Sequence, residues 1–236
     1  MNDTESGSTG TGQYFTARPD VDSDRRQVPL RLPDFSAELT TDRGVFSADA
    51  IDIGTKVLLS EAPHPPADTA TIVDVGCGYG PIALTMAHRA PQARVYAIDV
   101  NERAQSLCRD NAAALGFTNL IVGGPDDLPD GLAIDRIYSN PPIRIGKAAL
   151  HSLLDQWLER LGPQGAAYLV VQKHLGADSL ASRYARLGFL VERVSSRRAY
   201  RVLEIKPAST PASHNIIKSE RDATIDTGSH DKGSAT

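Results

Sequence analysis

Residues 71–80 constrain this chain more than any other stretch. Ile72, Val73 and Val75 form a short apolar run, the pattern of a strand buried on both faces of a parallel sheet. Gly76, Gly78 and Gly80 break the run at alternate positions. From Pro81 a helical pattern begins with Ile82, Ala83, Leu84 and Met86. Strand, glycine turn and helix in that order make a corner able to hold a nucleotide. Glycine reaches positive φ freely and has no Cβ, so a ligand can lie against bare backbone. The helix start adds N–H groups that have no partner within the helix.

The type of nucleotide is the next question. The dinucleotide pattern G-x-G-x-x-G needs a glycine where this chain has Pro81. Asp74 stands two residues before Gly76. A carboxylate there repels a pyrophosphate and suits the ammonium of an amino-acid moiety. The D-x-G-x-G-x-G pattern resembles the first motif of class I S-adenosylmethionine-dependent methyltransferases, with Asp74, Gly76, Cys77, Gly78 and Gly80 as its cofactor-binding residues. A dinucleotide site and a turn without ligand are the alternatives. The small size of Cys77 is reason enough for its place in the turn.

Around this corner strands and helices alternate. Strands are expected at 71–75, 94–98, 119–122, 133–139 and 165–172, with helices at 81–89, 102–115, 147–161 and 177–187. A terminal hairpin of 189–194 and 199–205 follows. This order predicts an α/β fold, a Rossmann-like parallel sheet wound by helices on both faces. Ahead of it, 28–32 and 35–39 read as two short strands, 41–47 as a loop and strand, and Val57, Leu58 and Leu59 as a helix capped by Thr55. Residues 1–12 and 207–236 are polar and expected to be disordered. Tyr14 and Phe15 are expected to open the folded part. The methyltransferase domain is then 13–206, with N-terminal strands and a helix at 13–66 and the core at 67–206.

No apolar run approaches the ~20 residues of a membrane span, and residues 1–12 lack the apolar segment of a secretory signal. Two cysteines, Cys77 and Cys108, without C-x-x-C spacing speak against structural zinc and fit a cytoplasmic protein. Residues 13–142 hold 11 basic and 18 acidic side chains, whereas 143–206 hold 11 basic and 5 acidic. A basic half on a slightly acidic protein can steer a polyanion; solvated charge with no partner is the plain alternative.

In a wound sheet, ligands sit beyond the carboxyl ends of the strands. Asp99 ends the second core strand, where an acid can accept bonds from both ribose hydroxyls. Asp126 follows the third, where an acceptor can reach an adenine amine, and its neighbour Asp127 could do the same. Asn101 reads as a helix cap. Ser139, Asn140, Pro141 and Pro142 follow the fourth strand. Two prolines make a stiff, non-helical corner. It presents the Asn140 side chain and the Pro141 carbonyl as acceptors at the mouth of the pocket. An exocyclic nucleobase amine is a poor nucleophile because its lone pair is delocalised. Accepting both of its hydrogens turns the lone pair towards a methyl donor, and groups placed beforehand stabilise the positive charge that develops on nitrogen.

With these features in register, residues 14–206 resemble the small-domain class I methyltransferases related to ribosomal RNA guanine-N2 methyltransferases (RsmC-like). The matching segments are Asp42-Arg43-Gly44-Val45-Phe46-Ser47, Asp52-Ile53-Gly54-Thr55, Asp74 to Gly80, Asp99 to Ala104, and Ser139 to Arg144. The resemblance implies a seven-stranded sheet in the order 3-2-1-4-5-7-6 with strand seven antiparallel. It also implies S-adenosylmethionine as cofactor, Asn140, Pro141 and Pro142 as catalytic residues, and guanine N2 in ribosomal RNA or a ribosomal subunit as target. Adenine N6 and release-factor glutamine, which share the Asn-Pro-Pro mechanism, remain alternatives, as does a non-catalytic assembly factor. Relatives often carry Phe or Tyr where this chain has Ile143. Larger relatives also carry an extra N-terminal domain that helps hold RNA. The basic half must then bear the RNA, with Ile143, Arg144, Lys147, Lys173 and His174 as candidate substrate contacts.

Overall fold

The computed structural model of the chain describes residues 20–208. The expectations for 1–12, Tyr14 and Phe15, and for the tail beyond 208, lie outside these residues. A seven-stranded sheet forms the centre, built from β3 (Thr71–Val75), β4 (Arg94–Ile98), β5 (Leu120–Gly123), β6 (Ile134–Ser139), β7 (Leu161–Gln172), β8 (Leu190–Arg197) and β9 (Tyr200–Lys206). Its order is β5-β4-β3-β6-β7-β9-β8. Strands β3 to β7 run parallel, and β9 is antiparallel to both of its neighbours. Counted from β3, this is the expected 3-2-1-4-5-7-6. The earlier pair β1 (Arg26–Arg31) and β2 (Ser36–Thr41) forms a separate antiparallel hairpin.

Side chains alternate across the sheet with the period of two that strands impose. Ile72, Val95, Ala97, Tyr138 and Val170 face one apolar layer. That layer is covered by α1 (Ile53–Glu61), α2 (Pro81–Arg89) and α3 (Glu102–Ala114). Val73, Tyr96, Ile98, Ile137 and Val171 face the other layer, under α4 (Lys147–Leu158) and α5 (Ala177–Arg186). The central strand β3 is buried along its whole length, as its apolar run predicts.

Three local expectations are corrected. The helix expected to reach residue 161 ends at Leu158, and β7 begins at Leu161. Gly162, Pro163 and Gly165 do not stop a helix there. They form a bulge, seen as a register shift between Ile134 and Arg136. Gly165 lies so close to the Ile134 carbonyl that a Cβ would sit 2.7 Å from its oxygen. Thr55 lies inside α1, and the N-cap is Asp52, whose Oδ2 accepts the Thr55 N–H at 3.1 Å. Residues 42–50 are turns without a strand.

The N-terminal hairpin is fastened to the core through its turn. Arg89 at the end of α2 donates from Nε and Nη2 to the two Asp34 oxygens, at 2.7 and 2.9 Å, and from Nη1 to the Leu59 carbonyl at 3.0 Å. The His88 ring donates to the Asp34 carbonyl and stacks on Phe35. On β2, Asn111 of α3 exchanges bonds with both Thr40 backbone groups and donates to the Tyr79 carbonyl.

The bidentate Arg89 pair holds the Asp34 carboxyl down at about 2. A depressed acid stabilises the fold above its unfolded value, and the gain is lost as pH falls through the folded value. Asp34→Asn should therefore cost ~1 kcal/mol at pH 6, after allowance for solvent screening at this exposed residue. Urea midpoints should show the difference shrinking between pH 4 and pH 2.

Candidate functional site

A cleft of about 280 Å3 opens at the carboxyl ends of β3, β4, β6 and β7. Its floor is the turn after β3. Gly76, Gly78 and Gly80 all have positive φ, and Gly76 and Gly78 have nothing within 4 Å where a Cβ would stand. Gly80 is different: a Cβ there would meet the Cys108 sulfur at 2.8 Å. Bare backbone thus faces the cleft at Gly76 and Gly78, while Gly80 lets α3 pack close. Cys77 is buried and directs its thiol to the Gly78 carbonyl.

The acids around the turn take distinct places. Asp99 lines the cleft. Its Oδ2 accepts the Gly78 N–H at 2.8 Å and its Oδ1 the Asn101 N–H at 2.9 Å. Burial raises its pKa, and the backbone N–H groups partly counter this. Asp74 does not line the cleft. It is fully buried beneath the turn, where Oδ2 accepts the Ala83 N–H at 2.9 Å and so holds the start of α2. Its Oδ1 meets no hydrogen-bond donor among the described residues. Burial pushes its carboxyl well above the usual range, and the Asp99 charge adds to this. Asp74 thus acts on the turn from below, with one oxygen on the start of α2. Asp126 is exposed and outside the cleft wall, and Pro125 lines the wall instead. Asp127 accepts the Gly124 N–H and closes its own turn.

Opposite the glycines stands the Asn-Pro-Pro corner. Asn140, Pro141, Pro142, Ile143 and Arg144 all line the cleft. The Asn140 amide is held by α1: Nδ2 donates to Asp52 Oδ2 at 2.8 Å and to Thr55 Oγ1 at 3.1 Å. Both amide hydrogens are used, so Oδ1 is left as an acceptor. The Pro141 carbonyl accepts the Ile143 N–H at 2.8 Å in a tight turn, which occupies one of its two lone pairs. Ser139 fastens the corner below by donating to the Val75 carbonyl at 2.6 Å.

Asp52 as the holder of Asn140 is absent from a reading of the sequence. The signal was the run Asp52-Ile53-Gly54-Thr55, an acid three residues before a threonine at a helix start. Phe46, Gln172 and Tyr200 also line the cleft without having been singled out. Lys147 and Lys173 are exposed beyond the wall, at the starts of α4 and of the turn after β7. Among the described residues no group of His, Cys, Asp and Glu is placed to hold a metal ion. No helix of these residues is long and apolar enough to cross a membrane.

Comparison with known proteins adds the family. Residues 36–204 match the model of the methyltransferase small domain. The chain is 33% identical over 196 residues to the uncharacterized protein YbxB of Bacillus subtilis (strain 168), covering 82% of this chain and 97% of that protein. It is 32% identical over 201 residues to the ribosomal RNA large subunit methyltransferase G of Pseudomonas putida (strain W619), covering 81% of this chain and 52% of the relative. It thus spans about half the length of that larger enzyme. Among solved structures, the 16S rRNA N2 G1207 methyltransferase (RsmC) of T. thermophilus, in complex with AdoMet and guanosine, superposes with a TM-score of 0.63. The two share 20% identity over 80% of this chain and 52% of that one, a likeness of fold. The chain belongs to the methyltransferase small-domain family.

The buried acid under the turn carries a test. An acid whose folded pKa is raised costs stability as pH rises above its unfolded value, because the folded state then has to hold an unfavourable charge or a proton taken from solution. Asp74→Asn keeps an acceptor for Ala83 and removes the charge. Melting of the ligand-free protein should show the variant more stable than wild type at pH 7, with the gap closing as pH approaches 4.

Proposed function

We propose that this small-domain methyltransferase uses S-adenosylmethionine to methylate the exocyclic N2 amine of a guanine in ribosomal RNA. The observation that carries the reading is the Asn140 amide, fixed by Asp52 and Thr55 so that its oxygen remains as acceptor beside the glycine-lined cleft. The family supports the reaction, and the names of the larger relatives support the substrate.

The site's features suit that cofactor. Gly76 and Gly78 leave room for an amino-acid moiety against bare backbone. Asp99 still has lone pairs for ribose hydroxyls after accepting two backbone N–H bonds. The buried Asp74 favours a cation above the turn without touching it. Val100 and Pro125 offer apolar walls for a purine. When bound, the cofactor supplies a sulfonium methyl as electrophile.

Asn140 Oδ1 accepts one hydrogen of the target amine, and the free lone pair of the Pro141 carbonyl accepts the other. Both stabilise the positive charge that develops as the N–C bond forms and the S–C bond breaks. The methylated ammonium is acidic and loses its proton to water, so no strong base is required. The residues nearest the amine, Asn140 and Pro141, position it and stabilise charge; neither takes a proton.

Adenine N6 and a protein glutamine nitrogen present similar amines. The basic rim of the cleft favours RNA over a protein loop. Arg144 lines it, Lys173 and His174 follow β7, and the Lys173 N–H bonds the Ala199 carbonyl, which sets Arg198 of the β8–β9 turn alongside. Such a row suits phosphates. The target base must leave its stack to reach a methyl in the cleft.

The test is transfer of labelled methyl to ribosomal subunits, naked ribosomal RNA, DNA or release factor, followed by mass mapping of the labelled nucleoside. N2-methylguanosine is expected, and label confined to protein overturns the reading. Asn140→Ala should lower kcat ~100- to 1000-fold, the cost of removing one oxyanion-hole-type group, with cofactor affinity retained. Asp52→Ala should lower kcat by ~10-fold or more, since it frees the Asn140 amide to rotate.

A further inference from the structure

Directly after the two prolines this chain has Ile143. An apolar side chain there gives a base contact but no face to stack on. The cleft nevertheless contains an aromatic ring from a different element. Tyr200, the first residue of β9, lines it together with Asn140 and Gln172.

The surroundings of Tyr200 show how it is held. It pairs with Gln172 across the antiparallel β7–β9 ladder. Gln172 Nε2 donates to the Tyr200 hydroxyl at 2.9 Å. The ring packs against α1 at Gly54, where a Cβ would lie 2.9 Å from Tyr200 Cε1 and 3.3 Å from Cδ1. The same Cβ would lie 2.9 Å from Asp52 Oδ2, the atom that holds Asn140. Gly54 therefore lets one helix start carry both the amide clamp and the ring. Tyr200 is only half-buried, so part of it remains open to the cleft. Its inner part packs against the edge of the apolar layer under α1, while Val202, Leu203 and Ile205 further along β9 lie inside the core.

We propose that Tyr200 is the stacking platform for the target nucleobase. It makes the substrate class a planar base swung into the cleft, with its amine at Asn140 and its face on the Tyr200 ring. Gln172 sets the ring through its hydroxyl. Arg198 and Lys173, beside Tyr200 and Gln172 in the chain, would hold the flanking phosphates. The proposal rests on the RNA methyltransferase reading above, and it adds a specific residue that the reading alone does not require.

The experiment compares wild type, Tyr200→Ala and Tyr200→Phe. Methyl transfer to ribosomal subunits is measured under steady-state and single-turnover conditions, with S-adenosylmethionine affinity read by calorimetry and folding by thermal melting. Tyr200→Ala is expected to lower kcat/KM for RNA ~10- to 100-fold, the range of one lost base–aromatic stack, while cofactor affinity stays at the wild-type value. Tyr200→Phe, which keeps the ring and loses the hydroxyl, is expected to recover most of that loss. Wild-type kcat/KM in Tyr200→Ala overturns the proposal, as does a Phe variant as impaired as Ala. If cofactor affinity and melting temperature fall together in both variants, the ring supports the fold and the proposal also fails. A wild-type protein that labels no RNA overturns the underlying function instead, and the two failures are told apart by that control.

Discussion

One carboxylate joins the parts of this protein that have to meet. Asp52 Oδ2 accepts the N–H of Thr55 and so caps α1, and it accepts the Asn140 amide and so orients the residue at the end of β6. The two jobs need the same atom in the same place. A capping carboxylate is a fixed acceptor, because the helix start already locates it. Placing that start over the end of β6 turns an ordinary cap into an orienting group. Thr55 completes the arrangement by taking the second amide hydrogen. An asparagine with one free hydrogen could rotate by half a turn and exchange its acceptor for a donor; here neither hydrogen is free.

The geometry depends in turn on how the N-terminal segment reaches the core. Residues 42–52 cross from the hairpin to α1 without regular structure, and polar side chains hold them. Asn101 caps α3 through its oxygen and donates to the Gly44 carbonyl at 2.8 Å. Asp42 is buried and accepts from Ser23, from the Asp24 backbone and from the Arg43 backbone. Arg103 bonds the Arg43 and Val21 carbonyls. A loop with so many anchored polar groups keeps Phe46 and Asp52 in fixed positions at the cleft, where an unanchored loop of this length would not.

Beneath the cleft the electrostatics work against the free protein. Asp74 and Asp99 flank one turn, both removed from water, which raises the pKa of each, and the Asp99 charge further disfavours ionisation of Asp74. Such an arrangement is a stability cost that a bound cation offsets. Glycines with positive φ add backbone conformations open to few other residues. Functional sites commonly retain this kind of local penalty, and the rest of the sheet, with its two filled apolar layers, carries the stability.

The sequence by itself determined the wound sheet, because the period-two strands, the helix periods and the glycine turn are local patterns whose meaning does not depend on distant residues. It also determined the Asn-Pro-Pro corner, since proline restricts its own backbone wherever it stands. Local patterns misled at Gly162 to Gly165, where glycine and proline served a bulge in place of a helix end, and at Thr55, where the true cap lay three residues earlier. What only the tertiary structure decided is which side chains share the cleft. Asp52 and Asn140 are 88 residues apart, and Gln172 and Tyr200 are 28 apart on strands running in opposite directions. Asp74 lies buried against the start of α2 because strand parity turns it to that layer, and no motif reports on which side of a strand a carboxylate falls once the helix has packed. Contacts of that separation follow from the order in which strands are laid side by side, and sequence spacing carries no measure of it.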